Sequence, residues 1–282
     1  MPNMDVKIIE MTENQAKFLL SDANPEEANA LRRVLISEVP KMAIETVEFH
    51  LGPIRDEEGN EFESVSPLFD EIVSHRLGLV PIPSDPSLFV TKDKCTCAGE
   101  GCPSCTIMYS LNKKGPCDVY SGDLEPLGSE DYRVKDQLIP IVRLGAGQAI
   151  LVYASAELGI GKKHAKWQAT SGVGYKYLPS VRIDFAKCDQ GGTCIDVCPK
   201  KVFTKKEGKV SVENAAACTM CMACVEVCKT KAVKIEGDKT KFVFEFETDG
   251  SVTAKQALVK AFAILEQKFE DFRELVSTLE PA

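Results

Sequence analysis

Eleven of the twelve cysteines in this 282-residue chain fall into two tight groups, and only Cys117 stands apart. Thiols crowded at such short spacing either close disulfides or share metals, and the redox compartment decides which. The opening stretch MPNMDVKIIEMTENQ lacks the basic segment and apolar core of a signal peptide. No apolar run reaches the roughly 20 residues of a membrane span. A cytoplasmic protein is therefore expected, with no membrane partner, and its clustered reduced cysteines read as metal ligands. The solitary Cys117 reads as a small buried hydrophobe without a role.

Cys218, Cys221, Cys224 and Cys228 give C-x2-C-x2-C-x3-C, and upstream Cys188, Cys194 and Cys198-Pro199 give C-x5-C-x3-C-P. The two runs repeat at 30 residues: 188 matches 218, 194 matches 224 and 198 matches 228. This pattern resembles the bacterial two-cluster ferredoxins, built from two pseudo-symmetric halves. In such proteins three thiolates on a tight loop grip three corners of a cubane, and the fourth cysteine of each run reaches the other cluster. The resemblance assigns Cys198, Cys218, Cys221 and Cys224 to a complete 4Fe-4S site. It leaves Cys188, Cys194 and Cys228 at a second site, where Gly191 stands in place of the second cysteine. A cubane with three protein ligands tends to lose an iron, so the expected occupant is a 3Fe-4S cluster. A labile 4Fe-4S cluster, an empty site and a disulfide among the leftover thiols stay open, as do zinc or no metal at all seven cysteines. A cluster here either passes electrons or staples a small domain with little core, as structural zinc does.

Cys95, Cys97, Cys102 and Cys105 give C-x-C-x4-C-x2-C in KDKCTCAGEGCPSC. Gly99, Gly101 and Pro103 permit the tight turns that bring four sulfurs onto one tetrahedron, so Zn2+ is expected. Four protein ligands close the site and leave no position for catalysis; the alternative is a loop of reduced thiols.

The formal net charge of −8 argues against direct DNA binding, which draws on Lys and Arg at phosphates. Short basic runs such as Lys162-Lys163-His164 and Lys200-Lys201 read as solvated faces. There is no D-x-D metal cluster, Gly-rich phosphate loop or Ser/His/Asp constellation in the sequence.

Two helices frame the chain. Asn24 can cap the first, Pro25 suits its first position and Glu27 completes a capping box. Ala28, Leu31 and Leu35 then share one face, and Pro40 ends the helix before the strand IETVEFH. The second should run from about Thr253 to Leu279, spanning roughly 40 Å. Along it Leu258, Phe262, Leu265, Phe269, Phe272, Val276 and Leu279 step 4, 3, 4, 3, 4, 3, flanked by Ala257, Ala261, Ile264 and Leu275. Such a stripe is covered either by the chain's own sheet or by another subunit; an apolar face this large is not expected to stay bare. In KFVFEFETD, Phe242, Phe244 and Phe246 should point inward with charges outward.

These segments, in this order, resemble the archaeal RNA polymerase D-subunit family, which is similar to the third subunit of eukaryotic RNA polymerase II and the N-terminal half of bacterial alpha. The carriers are ANALRRVLISEVPKMAIETVEF (28–49), FDEIVSHRLGLVPIP (69–83), VYSGDL (119–124), IPIVRLGAGQAILVYASAELGIGKKHAKWQA (139–169) and the C-terminal helix. The resemblance implies an α+β fold: an alpha-type dimerisation domain at 1–47 plus 237–282, an inserted mixed α/β domain at 48–183 with a zinc loop at about 92–118, and an inserted two-cluster ferredoxin-like domain at 184–236. It implies a non-catalytic assembly platform within a nucleotidyltransferase complex. That platform would pair with the small subunit L, join the small subunits N and P, and dock the large catalytic subunits, touching DNA only through them. The partner-binding residues it points to are Leu31, Leu35, Leu258, Phe262, Leu265, Phe269, Phe272 and Val276. His75 and Arg76 then read as packing or subunit contacts at a helix closing on Gly78, and Trp167 as an anchor. Two other functions compete: a ferredoxin-type electron-transfer subunit of an oxidoreductase, and a DNA-binding regulator. The first leaves some 230 residues without a role, and the acidic balance opposes the second.

Overall fold

The computed structural model describes residues 4–55 and 59–279. Residues 1–3, 56–58 and 280–282 of the expected domain ranges lie outside it. In chain order the elements are β1 (Asp5–Met11), β2 (Gln15–Ser21), α1 (Pro25–Ser37), β3 (Lys41–Phe49), β4 (Pro53–Arg55), β5 (Glu61–Glu63), α2 (Asp70–Gly78) and β6 (Thr106–Lys114). There follow β7 (Cys117–Tyr120), β8 (Glu125–Pro126), β9 (Pro140–Leu144), β10 (Ala149–Gly159) and β11 (Thr170–Ile183). The last are α3 (Thr193–Asp196), β12 (Phe203–Lys206), β13 (Lys209–Val212), α4 (Ala223–Glu226), β14 (Val233–Thr248) and α5 (Ala254–Ser277). The chain divides into two compact units.

The larger unit comprises Met11–Ala16, Leu31–Val173 and Phe246–Ala282. Its main sheet runs β3-β10-β6-β8, with β10 antiparallel to both β3 and β6. Along β6, Ile107, Tyr109 and Leu111 alternate into a core shared with Ile44, Val152 and Ala154, and with Val73 and Leu77 of α2. The period-2 side-chain alternation of a strand suffices to place these residues. It also corrects the expected zinc loop: only its first half is loop, because Thr106–Lys114 is a paired strand. Helix α2 closes at Gly78, with its acids in the first turn and His75 and Arg76 in the last, as the helix dipole favours. Arg76 donates to the Ile141 carbonyl at 2.8 Å. Trp167 is buried, and its Nε1 donates to the Glu157 carbonyl at 3.0 Å. A Cβ at Gly159 would lie 2.4 Å from that ring, so the anchor requires glycine there.

The smaller unit comprises Met1–Glu10, Lys17–Ala30 and Gly174–Glu245. Its sheet has the order β1-β2-β14-β11. Phe18 stacks on Phe244 at 5.1 Å, and Tyr175 and Tyr177 meet Phe242 at 5.6 and 5.2 Å, a ladder of aromatics across the sheet. Phe242, Phe244 and Phe246 are all buried while Glu245 and Glu247 are exposed, as their alternation requires. At the start of α1, the Glu27 N–H donates to Asn24 Oδ1 and the Asn24 N–H to Glu27 Oε2, both at 2.9 Å. This is the capping box read from the sequence.

The 30-residue repeat is also a repeat of backbone geometry. Helices α3 and α4 occupy matching positions, each after a left-handed residue, Gly192 and Met222. Gln190 and Met220, and again Lys201 and Lys231, are left-handed pairs at the same offset. The halves interlock reciprocally: the Asp184 N–H donates to the Ala232 carbonyl at 2.9 Å and the Asn214 N–H to the Val202 carbonyl at 3.3 Å. Val202, Phe203, Val210, Val233 and Ile235 form the small core between them, with Cys194, Cys218 and Cys224.

Candidate metal centres and docking face

The loop between Lys92 and β6 gathers its four cysteines to a point. The sulfurs of Cys95, Cys97, Cys102 and Cys105 all lie within 4.8 Å of one another. Cys95 to Cys102 measures 3.5 Å, Cys97 to Cys105 3.6 Å and Cys102 to Cys105 3.9 Å. Ala98, Gly99 and Gly101 adopt positive φ and wrap the chain around the group. Backbone donors already favour thiolate: N–H groups of Gly101 and Gly99, with the Cys95 thiol, draw Cys97 down to about 6. The Ser104 N–H does the same for Cys102. Cys95 is the counterpart. The Cys97 N–H lowers it, but the Cys97 thiol and burial outweigh that and push it up to about 12. Sulfurs about 2.3 Å from one central ion form a tetrahedron with edges of about 3.8 Å. The observed separations fit a single ion held by four thiolates.

Four of the seven cysteines in the repeat are arranged differently, around a space. Cys198, Cys218, Cys221 and Cys224 line one cavity together with Val202, Phe203, Ile235 and Lys200. Burial, then the neighbouring thiols of Cys218, Cys198 and Cys221, push Cys224 up to about 11. Cys194 is raised by burial and then by Cys188 and Cys228. Cys224 therefore has Cys198, Cys218 and Cys221 as its charged neighbours, and Cys194 has Cys188 and Cys228. Backbone N–H groups point at the sulfurs: Met220 at Cys218 (3.3 Å), Val202 at Cys198 (3.5 Å) and Ala232 at Cys228 (3.2 Å). The last two sit at matching positions of the repeat. Donors of this kind stabilise thiolate, the ligand form an iron–sulfur cluster needs. At Gly191 the Asp189 carboxylate accepts the glycine N–H at 3.0 Å, and a Cβ there would lie 3.2 Å from the same oxygen. The matching residue, Cys221, is exposed.

The expected docking stripe splits along its length. Helix α5 opens with Thr253 in a capping box with Gln256 and runs 24 residues, about 36 Å. Leu258 is buried, and Phe262 and Leu265 are half-buried. Beyond them Phe269, Phe272, Leu275 and Val276 are 52%, 64%, 61% and 47% exposed. Leu31 and Leu35 of α1 are fully buried, which corrects their reading as partner residues. The correction extends to Leu258: the chain's own fold already covers the residues nearest its core. Lys268 reaches Glu38 across the exposed side. His75 is exposed. Spacing gave no sign of Lys176, whose Nζ reaches two carbonyls of the Cys218 turn, because the partners lie 40 and 42 residues away. Val259, exposed on α5, was also missed, being off the heptad stripe.

Comparison with known proteins places these features in context. The family model described as the RNA polymerase Rpb3/Rpb11 dimerisation domain matches residues 17–269. DNA-directed RNA polymerase subunit Rpo3 of Picrophilus torridus is 44% identical over 270 residues, covering 96% of this chain and 98% of the relative. The subunit of that name from Thermoplasma volcanium is 45% identical over 255 residues, covering 90% and 93%. DNA-directed RNA polymerase II subunit rpb3 of Dictyostelium discoideum is 33% identical over 296 residues, covering 95% and 93%. These full-length matches overturn the electron-transfer alternative, which accounts only for the cysteine repeat.

Proposed function

The chain belongs to the RNA polymerase Rpb3/Rpb11 dimerisation family, and on that premise we propose that it is the assembly platform of a DNA-directed RNA polymerase, with no active site of its own. The observation that carries the reading is the exposed end of α5. Fully burying an exposed side chain of this kind is worth about 1.5–3 kcal/mol, and Phe269, Phe272, Leu275 and Val276, already partly covered, have roughly half of that to gain against a second helix. We infer that the small subunit L covers this face. The platform so formed would take up the small subunits N and P and present the inserted region, 48–183, to the large catalytic subunits. The dimerisation domain is 1–47 plus 237–282, DNA is reached only through the complex, and the work is cytoplasmic. Among the described residues no helix is long and apolar enough to cross a membrane.

The repeat at 184–236 is, in this reading, a ferredoxin-like module that supports or regulates assembly. Cys198, Cys218, Cys221 and Cys224 would hold a 4Fe-4S cluster, supported by the cavity they line. Cys188, Cys194 and Cys228 would hold a 3Fe-4S cluster beside Gly191. The Cys95–Cys105 loop would hold Zn2+, supported by its sulfur separations. These groups supply rigidity to regions with small cores of their own.

Co-expression with the small subunit tests the docking face. The pair should co-purify, the chain alone should self-associate in sedimentation, and Phe269→Glu with Phe272→Glu should abolish pairing. A well-behaved monomer whose double variant still pairs would overturn the reading.

A further inference from the structure

The cavity lined by four cysteines has a cationic neighbour that no cysteine pattern announces. Lys176, on β11, donates from Nζ to the carbonyl oxygens of Ala216 and Cys218 at 2.9 and 2.8 Å. Both carbonyls belong to the turn that delivers the Cys218 sulfur, which in turn accepts the Met220 N–H at 3.3 Å. The strand carrying Lys176 is seated firmly. A Cβ at Gly237 would lie 2.7 Å from the Cβ of Tyr177 and 3.4 Å from the Met220 sulfur, so only glycine lets β14, β11 and the turn approach this closely. Lys176 is half-buried, and Lys200 lines the same cavity.

We propose that Lys176 is a positioning residue that holds the Cys218 arm and sets the reduction potential of the cluster bound by Cys198, Cys218, Cys221 and Cys224. The inference rests on the 4Fe-4S reading given above. A cubane with four thiolate ligands is anionic, and reduction adds one electron to it. Cluster potentials follow net charge, hydrogen bonding and exposure. An ammonium fixed on the ligand loop favours the added electron. Its two charge-assisted hydrogen bonds also tie the arm against opening.

The test uses the full chain co-purified anaerobically with its small partner subunit, as wild type, Lys176→Met, Lys176→Gln and Lys176→Arg. Iron and sulfide are counted, and the midpoint is read by electron paramagnetic resonance during titration with dithionite. The Met and Gln variants should titrate at more negative potential and lose cluster several-fold faster in air, while the Arg variant returns to the wild-type midpoint. Should Met prevent loading, Gln decides, since its amide keeps N–H donors without the charge. A loaded wild type with unshifted Met or Gln variants, or an Arg variant as low as Met, overturns the role of Lys176 alone. A wild type without iron and sulfide overturns the cluster reading itself, and this inference with it.

Discussion

The two cysteine-rich regions hold their sulfurs in opposite ways. In the loop before β6 three pairs of sulfurs close to 3.5–3.9 Å, and all four lie within 4.8 Å of one another. In the repeat they stand around a cavity that they share with Val202, Phe203 and Ile235. Turn chemistry makes the difference. Positive φ at Ala98, Gly99 and Gly101 folds one short loop onto itself. In the repeat, two one-turn helices 30 residues apart bring sulfurs from separate halves around a common space. The loop thus delivers its four sulfurs from one backbone segment, and the cavity of the repeat receives its four from two.

The sharpest way to break this contrast is in the loop. Structural zinc contributes about 10–16 kcal/mol of apparent binding free energy in small peptide sites. Cys105→Ser should therefore empty the site and disorder residues 92–105, read as loss of zinc in elemental analysis and new cleavage there in limited proteolysis. Iron content should be unchanged. A smaller effect is expected in the repeat, where Cys221 is exposed and contributes little packing. Cys221→Ser should remove the 4Fe-4S spectroscopic signal while pairing with the small subunit survives; loss of pairing would show that the module is not independent.

Gly191→Cys sharpens the comparison between the halves. The nearest atoms a Cβ there would meet belong to the Asp189 carboxylate, at 3.2 Å, and that side chain can swing aside. Iron per chain should rise toward two full cubanes, measured together with the disappearance of any 3Fe-4S resonance. The smallest change is Asn214→Ala. Its Oδ1 accepts the Ala217 N–H at 3.2 Å ahead of Cys218, and losing such a cap costs about 1 kcal/mol. Chemical denaturation of the loaded protein should show that loss at constant metal content.

Much of this was legible in the sequence where a local pattern dictates geometry. The Asn24–Glu27 box, the alternation of Phe242, Phe244 and Phe246, and the 30-residue spacing each depend on neighbours a few residues away or on an internal duplicate. Long-range packing was not legible. The heptad stripe of α5 could not say that Leu258 would be buried while Phe272 stayed bare. Leu31 and Leu35 share a periodicity with surface-docking residues yet lie inside, because an apolar helical face does not specify who covers it. The strand Thr106–Lys114 was hidden behind the cysteines, although Ile107, Tyr109 and Leu111 carry the alternation openly. Lys176 left no local trace.

The reciprocal hydrogen bonds of the repeat carry a last consequence. The opening turn of each half is tied by the other half's tail, Asp184 to Ala232 and Asn214 to Val202. A fragment carrying one half would thus lack the clasp that completes it. Neither half of the repeat closes by itself, and the frame around Gly191 is held from the far end of its sequence twin.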